Sequence, residues 1–225
     1  MNVLVVAAHP DDEVLGAGGT IARHTQNGDR VTIAILGEGI TSRHPARDQA
    51  DQQALDELRA DARRAAKLMG CEQPRLFQLP DNRFDHVDQL DVVKIVEEVV
   101  GATRPEIVYT HYHGDLNADH LITARAVLTA CRPLPGSSLR RILAFEVPSS
   151  TGWGFAEHVF SPTVFVDVSR TLEAKLEAMK AYRSEVRAYP HPRAPQALAE
   201  RARTWGTQVG IFAAEPFVLL RERVL

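Results

Sequence analysis

Cysteine is scarce in this chain. There are two among 225 residues, Cys71 and Cys131, and no CxxC pair, which argues against a disulfide framework. Each is expected in or near the core as a small hydrophobe. Long apolar runs are missing too. The N-terminal stretch Val3–Ala8 is short and has no basic leader, so it does not read as a signal peptide. Nothing approaches the roughly 18 apolar residues of a membrane helix. Neither charge sign dominates: 26 Lys+Arg stand against 29 Asp+Glu, a formal net charge of −3. That leaves no basic field for nucleic acid and no polybasic patch for a membrane. Internal repeats, low-complexity tracts and a clear linker are also absent. The expectation is one cytoplasmic domain over residues 1–225, long enough to bury roughly 70% of its unfolded surface without a staple.

What is present alternates strand with helix. Val3–Ala8 is continuous and rich in β-branched residues, as expected of a strand covered on both faces. A helical pattern runs from Val14 to Asn27, with Gly28 as its C-cap. Val31–Leu36 reads as a second buried strand, Asp48–Met69 as a long amphipathic helix closed by Gly70, and Arg75–Leu79 as a short strand. A helix at Val87–Val100, a strand at Glu106–Thr110 and a helix at Ala118–Ala130 follow. Arg140–Glu146 and Val164–Val168 read as later strands, and Leu172–Tyr182 as a further helix. This order predicts an α/β fold, a three-layer sandwich around a mainly parallel sheet. His44–Arg47 and Ala188–Pro195 (AYPHPRAP) read as loops that lie over a site.

Ligands of open α/β sheets bind beyond the carboxyl ends of the strands, and two strands here end in unusual chemistry. The first runs into HPDDE, residues 9–13; the fourth runs into THYHGDLNADH, residues 110–120. If both strands are central and parallel, His9, Asp12 and His120 converge. Two imidazoles and a carboxylate are a familiar ligand set for catalytic zinc, with one position left open. A divalent cation would also offset the repulsion among Asp11, Asp12 and Glu13. Asp11, one residue from a ligand, is the natural general base. Plainer readings stand beside these. Asp11 or Asp12 can cap the following helix, a lone strand-end histidine is more often structural, and Asp119 can be a charge at a helix N-terminus. Gly16, Gly18 and Gly19 do not fit GxGxxG, and the adjacent acids would repel phosphate.

The buried strand followed by AHPDDE (Ala8–Glu13), with a later Asp119–His120 pair, resembles the PIG-L/LmbE-like zinc-dependent N-deacetylases. Arg59 and Asp61 before Leu68–Gly70, and LPDN at Leu79–Asn82, resemble further segments of that family. The resemblance covers most of the chain. It implies a Rossmann-like single domain, one Zn2+ held by His9, Asp12 and His120, and Asp11 as general base for the attacking water. It implies that Arg59 and Asp81 contact sugar hydroxyls, with His113 and Asp115 also assigned to the substrate side. The substrate it implies is a small-molecule amino-sugar conjugate of the N-acetylglucosamine type. Glu13 is expected to orient His9 or a loop amide from behind the site.

One position departs from the family's pattern: Asn117 stands where a histidine often precedes the last ligand. Asparagine can donate to an oxyanion but supplies no proton. His113, His191 and Asp11 are the candidates for the acid, with His191, oriented by Asp119, preferred. The expected activity is therefore removal of an N-acetyl group with release of acetate. A two-metal phosphoesterase using Glu13 and Asp115 and a non-catalytic sugar- or nucleotide-binding module are the rivals. Arg43, Arg47, Arg83 and Arg193 read as solvated surface residues, or as receivers of an anionic aglycone. The oligomeric state is left open, a homo-oligomer included, as is the identity of the metal.

Overall fold

The computed structural model describes residues 1–154 and 158–224. Its elements are β1 (Asn2–Ala7), α1 (Asp12–Gln26), β2 (Arg30–Gly37), α2 (Gln52–Leu68), β3 (Arg75–Leu79), α3 (Gln89–Thr103), β4 (Ile107–His111), α4 (Ala118–Ala130), β5 (Arg141–Phe145), β6 (Val164–Asp167), α5 (Leu172–Ala181), α6 (Pro195–Val209) and β7 (Ala214–Glu222). The strands form one sheet in the order β3-β2-β1-β4-β5-β7-β6. β1 to β5 are parallel, and β7 runs antiparallel between β5 and β6.

The unbroken apolar character of β1 follows from its place at the centre of this sheet. Val3, Val5 and Ala7 enter one core with residues of α1, α2 and α5. Leu4, Val6 and Ala8 enter a second core with residues of α3 and α4. Both faces of the strand are thus covered, and alternation with polar residues has no place in it. The chain moves outward from β1 to β2 and β3 on one side and from β4 to β5 on the other. The switch point therefore lies between the carboxyl ends of β1 and β4, where open α/β sheets place their ligands.

The glycines at 16, 18 and 19 lie inside α1. They serve packing: a Cβ on Gly16 would meet the Phe145 ring at 2.2 Å, and one on Gly19 would meet Val168 at 2.9 Å. A buried ion pair reaches the same turn. Lys175 Nζ, 2.5 Å from Glu215, donates to the Leu15 carbonyl (2.9 Å), while Glu215 accepts the amides of Gly19 (2.9 Å) and Thr20 (2.6 Å).

Two expectations change. The long helix begins at Gln52 rather than Asp48, because Asp51 is its N-cap and accepts the Gln53 amide at 2.9 Å; Arg47–Gln49 form a separate 3-10 turn. The C-terminal region, where the last regular element expected is the helix ending at Tyr182, carries α6 and β7 as well. Pro216 inside β7 works against a strand reading, and it is accommodated at a register position opposite Phe165.

Candidate active site

The sharp exit from β1 builds the first half of the site. Asp11, at the N-cap of α1, has φ 99°, the left-handed region, and its side chain makes no capping hydrogen bond. Its carboxylate is thus free of the capping role. Asp12 instead turns back, and its Oδ2 accepts the His9 amide at 2.8 Å. The same oxygen lies 3.3 Å from His9 Nδ1 and 3.2 Å from His120 Nε2. One ligand atom from each of His9, Asp12 and His120 lies within 4.8 Å of the others.

Each imidazole is oriented from behind by a carboxylate, as metal-binding histidines usually are. His9 Nε2 lies 2.9 Å from Asp119 Oδ2, and Asp119 is itself fixed by the Phe84 amide at 3.0 Å. His120 Nδ1 faces Asp115 Oδ1 at 3.1 Å. Asp115 accepts from the Asn117 amide (2.8 Å), Ser150 Oγ (3.0 Å) and Thr151 Oγ1. Among the described residues, neither nitrogen of buried His120 completes a hydrogen bond, nor does Asp11 Oδ2. Two ring nitrogens and one carboxylate oxygen, held from behind and aimed at one another, fit a divalent metal of the zinc type.

The electrostatics favour positive charge here. Burial opposes the His9 imidazolium, but Asp119 and Asp12 outweigh it and raise its pKa to about 10. Burial likewise opposes His120, yet Asp12 and Asp115 raise it to about 9. Burial pushes up Asp12, but the neighbouring His120 and His9 hold it well below the usual carboxylate range. Asp11 moves the other way: burial lifts it well above that range, Arg193 opposes the rise, and Asp12 and Glu185 add to it. Two carboxylates one residue apart are thereby driven toward different roles.

These groups form the floor of a cavity of about 350 Å³, also lined by Pro10, Ser42, Arg43, Asp81, Asn82, Asn117, Ser149, Ser150, Glu185, Arg187, His191 and Arg193. Its size is that of a small-molecule site.

The sequence profile of the family described as GlcNAc-PI de-N-acetylase (PIG-L) matches residues 4–131. The chain belongs to the PIG-L family. Among its relatives, the uncharacterized deacetylase YaiS of Escherichia coli (strain K12) is 30% identical over 189 residues, covering 81% of this chain and 91% of the relative. A probable N-acetyl-alpha-D-glucosaminyl L-malate deacetylase 2 of Bacillus cereus is 29% identical over 191 residues, covering 83% and 84%. The fold matches that of the conserved protein TT1542 from Thermus thermophilus, with a TM-score of 0.76, 24% identity and coverage of 100% and 97%.

Several residues assigned from the resemblance occupy other places in this PIG-L protein. Arg59 pairs with Asp56 at 2.9 Å and lines a different surface depression, not the His9–His120 cavity. His113 is exposed, packs on Tyr112 and does not line the cavity. Asp115 sits behind His120, as described, not on the substrate side. Asp119 holds His9, so it does not orient His191. His191 lines the cavity wall, and its Nδ1 accepts the Arg193 amide at 3.1 Å. Asn117 caps α4 through Oδ1, accepting the Asp119 amide at 2.9 Å, and its Nδ2 donates to Asn82 Oδ1 at 2.9 Å. Asp81 faces the cavity with Oδ2 accepting from Ser42 Oγ (2.5 Å) and the Ser42 amide (3.0 Å). Glu13 takes the loop-amide alternative: Oε2 accepts the Asp11 amide at 3.2 Å, and Oε1 accepts the Tyr182 hydroxyl at 2.6 Å.

Sequence reasoning missed Glu185, Arg187 and the two serines of the β5 loop, and read Arg43 and Arg193 as solvated surface residues first and as receivers of an anionic aglycone second. Glu185 accepts Arg43 Nη2 at 2.8 and 2.6 Å and Arg193 Nη1 at 2.6 Å. Arg193 Nη1 is also 3.3 Å from Asp11 Oδ2. The available signal was the loop AYPHPRAP, which carries both His191 and Arg193.

Proposed function

We propose that this chain is a metal-dependent amidohydrolase that removes the acetyl group from an N-acetylated amino sugar of the GlcNAc-conjugate type. Family membership supports the deacetylase class. The observation that carries the site assignment is the convergence of His9, Asp12 and His120 within 4.8 Å beside Asp11, whose Oδ2 completes no hydrogen bond among the described residues and faces Arg193 Nη1 at 3.3 Å. The parallel strands, with the site at the β1/β4 switch, support a Rossmann-like description.

His9, Asp12 and His120 would hold the ion, zinc being the metal that best suits two imidazoles and a carboxylate. When bound, the ion supplies a Lewis acid for the acetamide carbonyl. The protein's own groups do the rest. Asp11, raised by burial and beside the ligands, accepts the proton of the attacking water and returns it to the departing amine. Asn117 and His191, both on the cavity wall, are the donors available to the carbonyl oxygen as it gains charge. Asp81, held by Ser42, faces the substrate hydroxyls.

The phosphoesterase reading needs a second ion, and the acids it would use are engaged elsewhere. Glu13 is spent on Tyr182 and Asp11, and Asp115 on His120, Ser150 and Thr151. The test is metal content together with acetate release from a panel of N-acetylglucosamine derivatives, for wild type and Asp11→Asn. One ion per chain, with acetate release lost in the variant and metal retained, is expected. Folded protein that takes up no zinc would refute the ligand set. Unchanged acetate release in Asp11→Asn would refute the base.

A further inference from the structure

The wall of the cavity carries chemistry that differs from that of the metal-ligating floor. Three guanidinium groups line it, those of Arg43, Arg187 and Arg193, against one carboxylate, that of Glu185. Glu185 is 3% exposed and grips Arg43 and Arg193 through one terminal nitrogen each, Nη2 and Nη1. Arg187 has no carboxylate partner among the described residues. Its Nη1 is fixed by the carbonyls of Ser184 (2.6 Å) and Val186 (3.0 Å). Arg193 is the innermost, its side chain only 25% exposed, with Nε 3.4 Å from Ser149 Oγ. The contacts found among the described residues leave Arg43 Nε and Nη1, Arg187 Nε and Nη2, and Arg193 Nη2 without an acceptor.

We propose that the substrate of this site carries an oxyanion group, a carboxylate or a phosphate, on the part attached to the amino sugar, and that Arg187, Arg43 and Arg193 receive it. Guanidinium groups present paired N–H donors in the geometry that carboxylate and phosphate oxygens accept. Glu185 holds two of the three in place before any ligand arrives, so little side-chain entropy is lost on binding. A wholly neutral conjugate filling the cavity would strip water from several of these donors and return nothing to them. The acids of the floor do not pair off the wall: among the described residues Asp12 lies with the metal-ligating histidines, Asp81 lies by His9 and Ser42, and only Asp11 touches an arginine of the three. The proposal rests on the deacetylase reading for its amino sugar, but not for its anion.

The experiment measures binding by calorimetry to zinc-loaded Asp11→Asn, which separates affinity from turnover. The probes are methyl N-acetylglucosaminide, N-acetylglucosamine 1-phosphate and the carboxymethyl glycoside of N-acetylglucosamine, with inorganic phosphate as a control. At least one anionic sugar is expected to bind about tenfold or more tightly than the methyl glycoside, the worth of one charge-assisted hydrogen bond. The gap should narrow with added salt and shrink when Arg187→Gln is introduced. Arg59→Gln, outside the cavity, should leave it unchanged. Whichever anionic probe shows the gap distinguishes phosphate from carboxylate. Equal affinity for all three sugars, no binding by any, or a gap that survives both Arg187→Gln and Arg43→Gln would overturn the proposal. Acetate release from the methyl glycoside by wild type reports separately on the deacetylase reading. Failure there with the anion preference intact sinks that reading and leaves the arginine wall standing.

Discussion

His111 lies flat against His120, the ring centroids 4.0 Å apart and the planes 18° from parallel. His111 is fully buried, and its Nε2 accepts the amide of Ala8, the residue before His9, at 2.8 Å. An amide can only donate, so Nε2 is unprotonated and a neutral ring carries its proton on Nδ1. Burial, followed by the charge of His120, holds its pKa well below the usual histidine value. One neutral ring thus braces both arms of the proposed ligand set. His111→Phe keeps the ring and leaves the Ala8 amide unpaired, at a cost of about 1–3 kcal/mol. His111→Gln keeps an acceptor and loses the stack. Both should weaken zinc binding, Phe more, by about 10- to 100-fold in competition with a chromophoric chelator. Wild-type affinity in both would show that His111 only fills space.

The protons on His9 and His120 compete with the metal. In the metal-free protein these groups titrate near 10 and 9, above the ordinary 6.5, because the acids around them outweigh burial. A raised imidazole contributes stability that is fully present below pH 6.5 and is lost as pH rises through the folded value. Metal-free protein should therefore lose thermal stability between pH 7 and 10, while the zinc-loaded form should hold it better. Zinc uptake at pH 7 should release about two protons, measurable by calorimetry in buffers of different ionisation enthalpy. Uptake without proton release would show that the two rings are neutral beforehand.

The parts of the site that could be read in advance are contiguous in the chain. HPDDE and the DLNADH segment each carry their chemistry within a few residues, at the ends of recognisable strands, so strand direction alone brings them together. The arginine wall is built otherwise. Arg43 follows β2 and Arg193 follows α5, and they meet only because both reach Glu185. Isolated in sequence, each reads as a solvated charge. Asp115, read on the substrate side, stands behind His120, and Asp119, read as the partner of His191, holds His9, because spacing along a loop does not say which face a carboxylate turns to the metal ligands. The same limit applies to α6 and β7: Pro195 at the start of the helix and Gly210 in the left-handed region at its end are ordinary boundary signals, but β7 is antiparallel and carries a proline.

The two kinds of helical glycine make opposite predictions. Gly16→Ala would drive a methyl into the Phe145 ring, an overpacking expected to cost roughly 1–3 kcal/mol. A Cβ on Gly101, within α3, meets nothing within 4 Å. Gly101→Ala should therefore stabilise by about 0.5–1 kcal/mol by removing a helix-interior glycine. Urea unfolding midpoints at constant m-value decide both. A neutral Gly16→Ala would mean that β5 and α1 can separate without loss.

The tie between Lys175 and Glu215 predicts an asymmetry. Lys175→Met removes the cation but leaves Glu215 with two amide donors, those of Gly19 and Thr20. Glu215→Ala removes the carboxylate that accepts both amides and strands a buried ammonium with the Leu15 carbonyl. Breaking a buried pair from the side that leaves an uncompensated charge costs about 3–5 kcal/mol, so Glu215→Ala should be the more damaging of the two in chemical denaturation. The double variant Lys175→Met/Glu215→Ala should recover part of that loss, because the stranded charge is gone. α1 also carries Asp12 at its first residue. If the tie sets the position of that helix, Glu215→Ala should weaken zinc binding along with stability, whereas Lys175→Met should leave zinc binding closer to wild type. Equal losses in the two single variants would mean that the amide contacts contribute nothing beyond the ion pair.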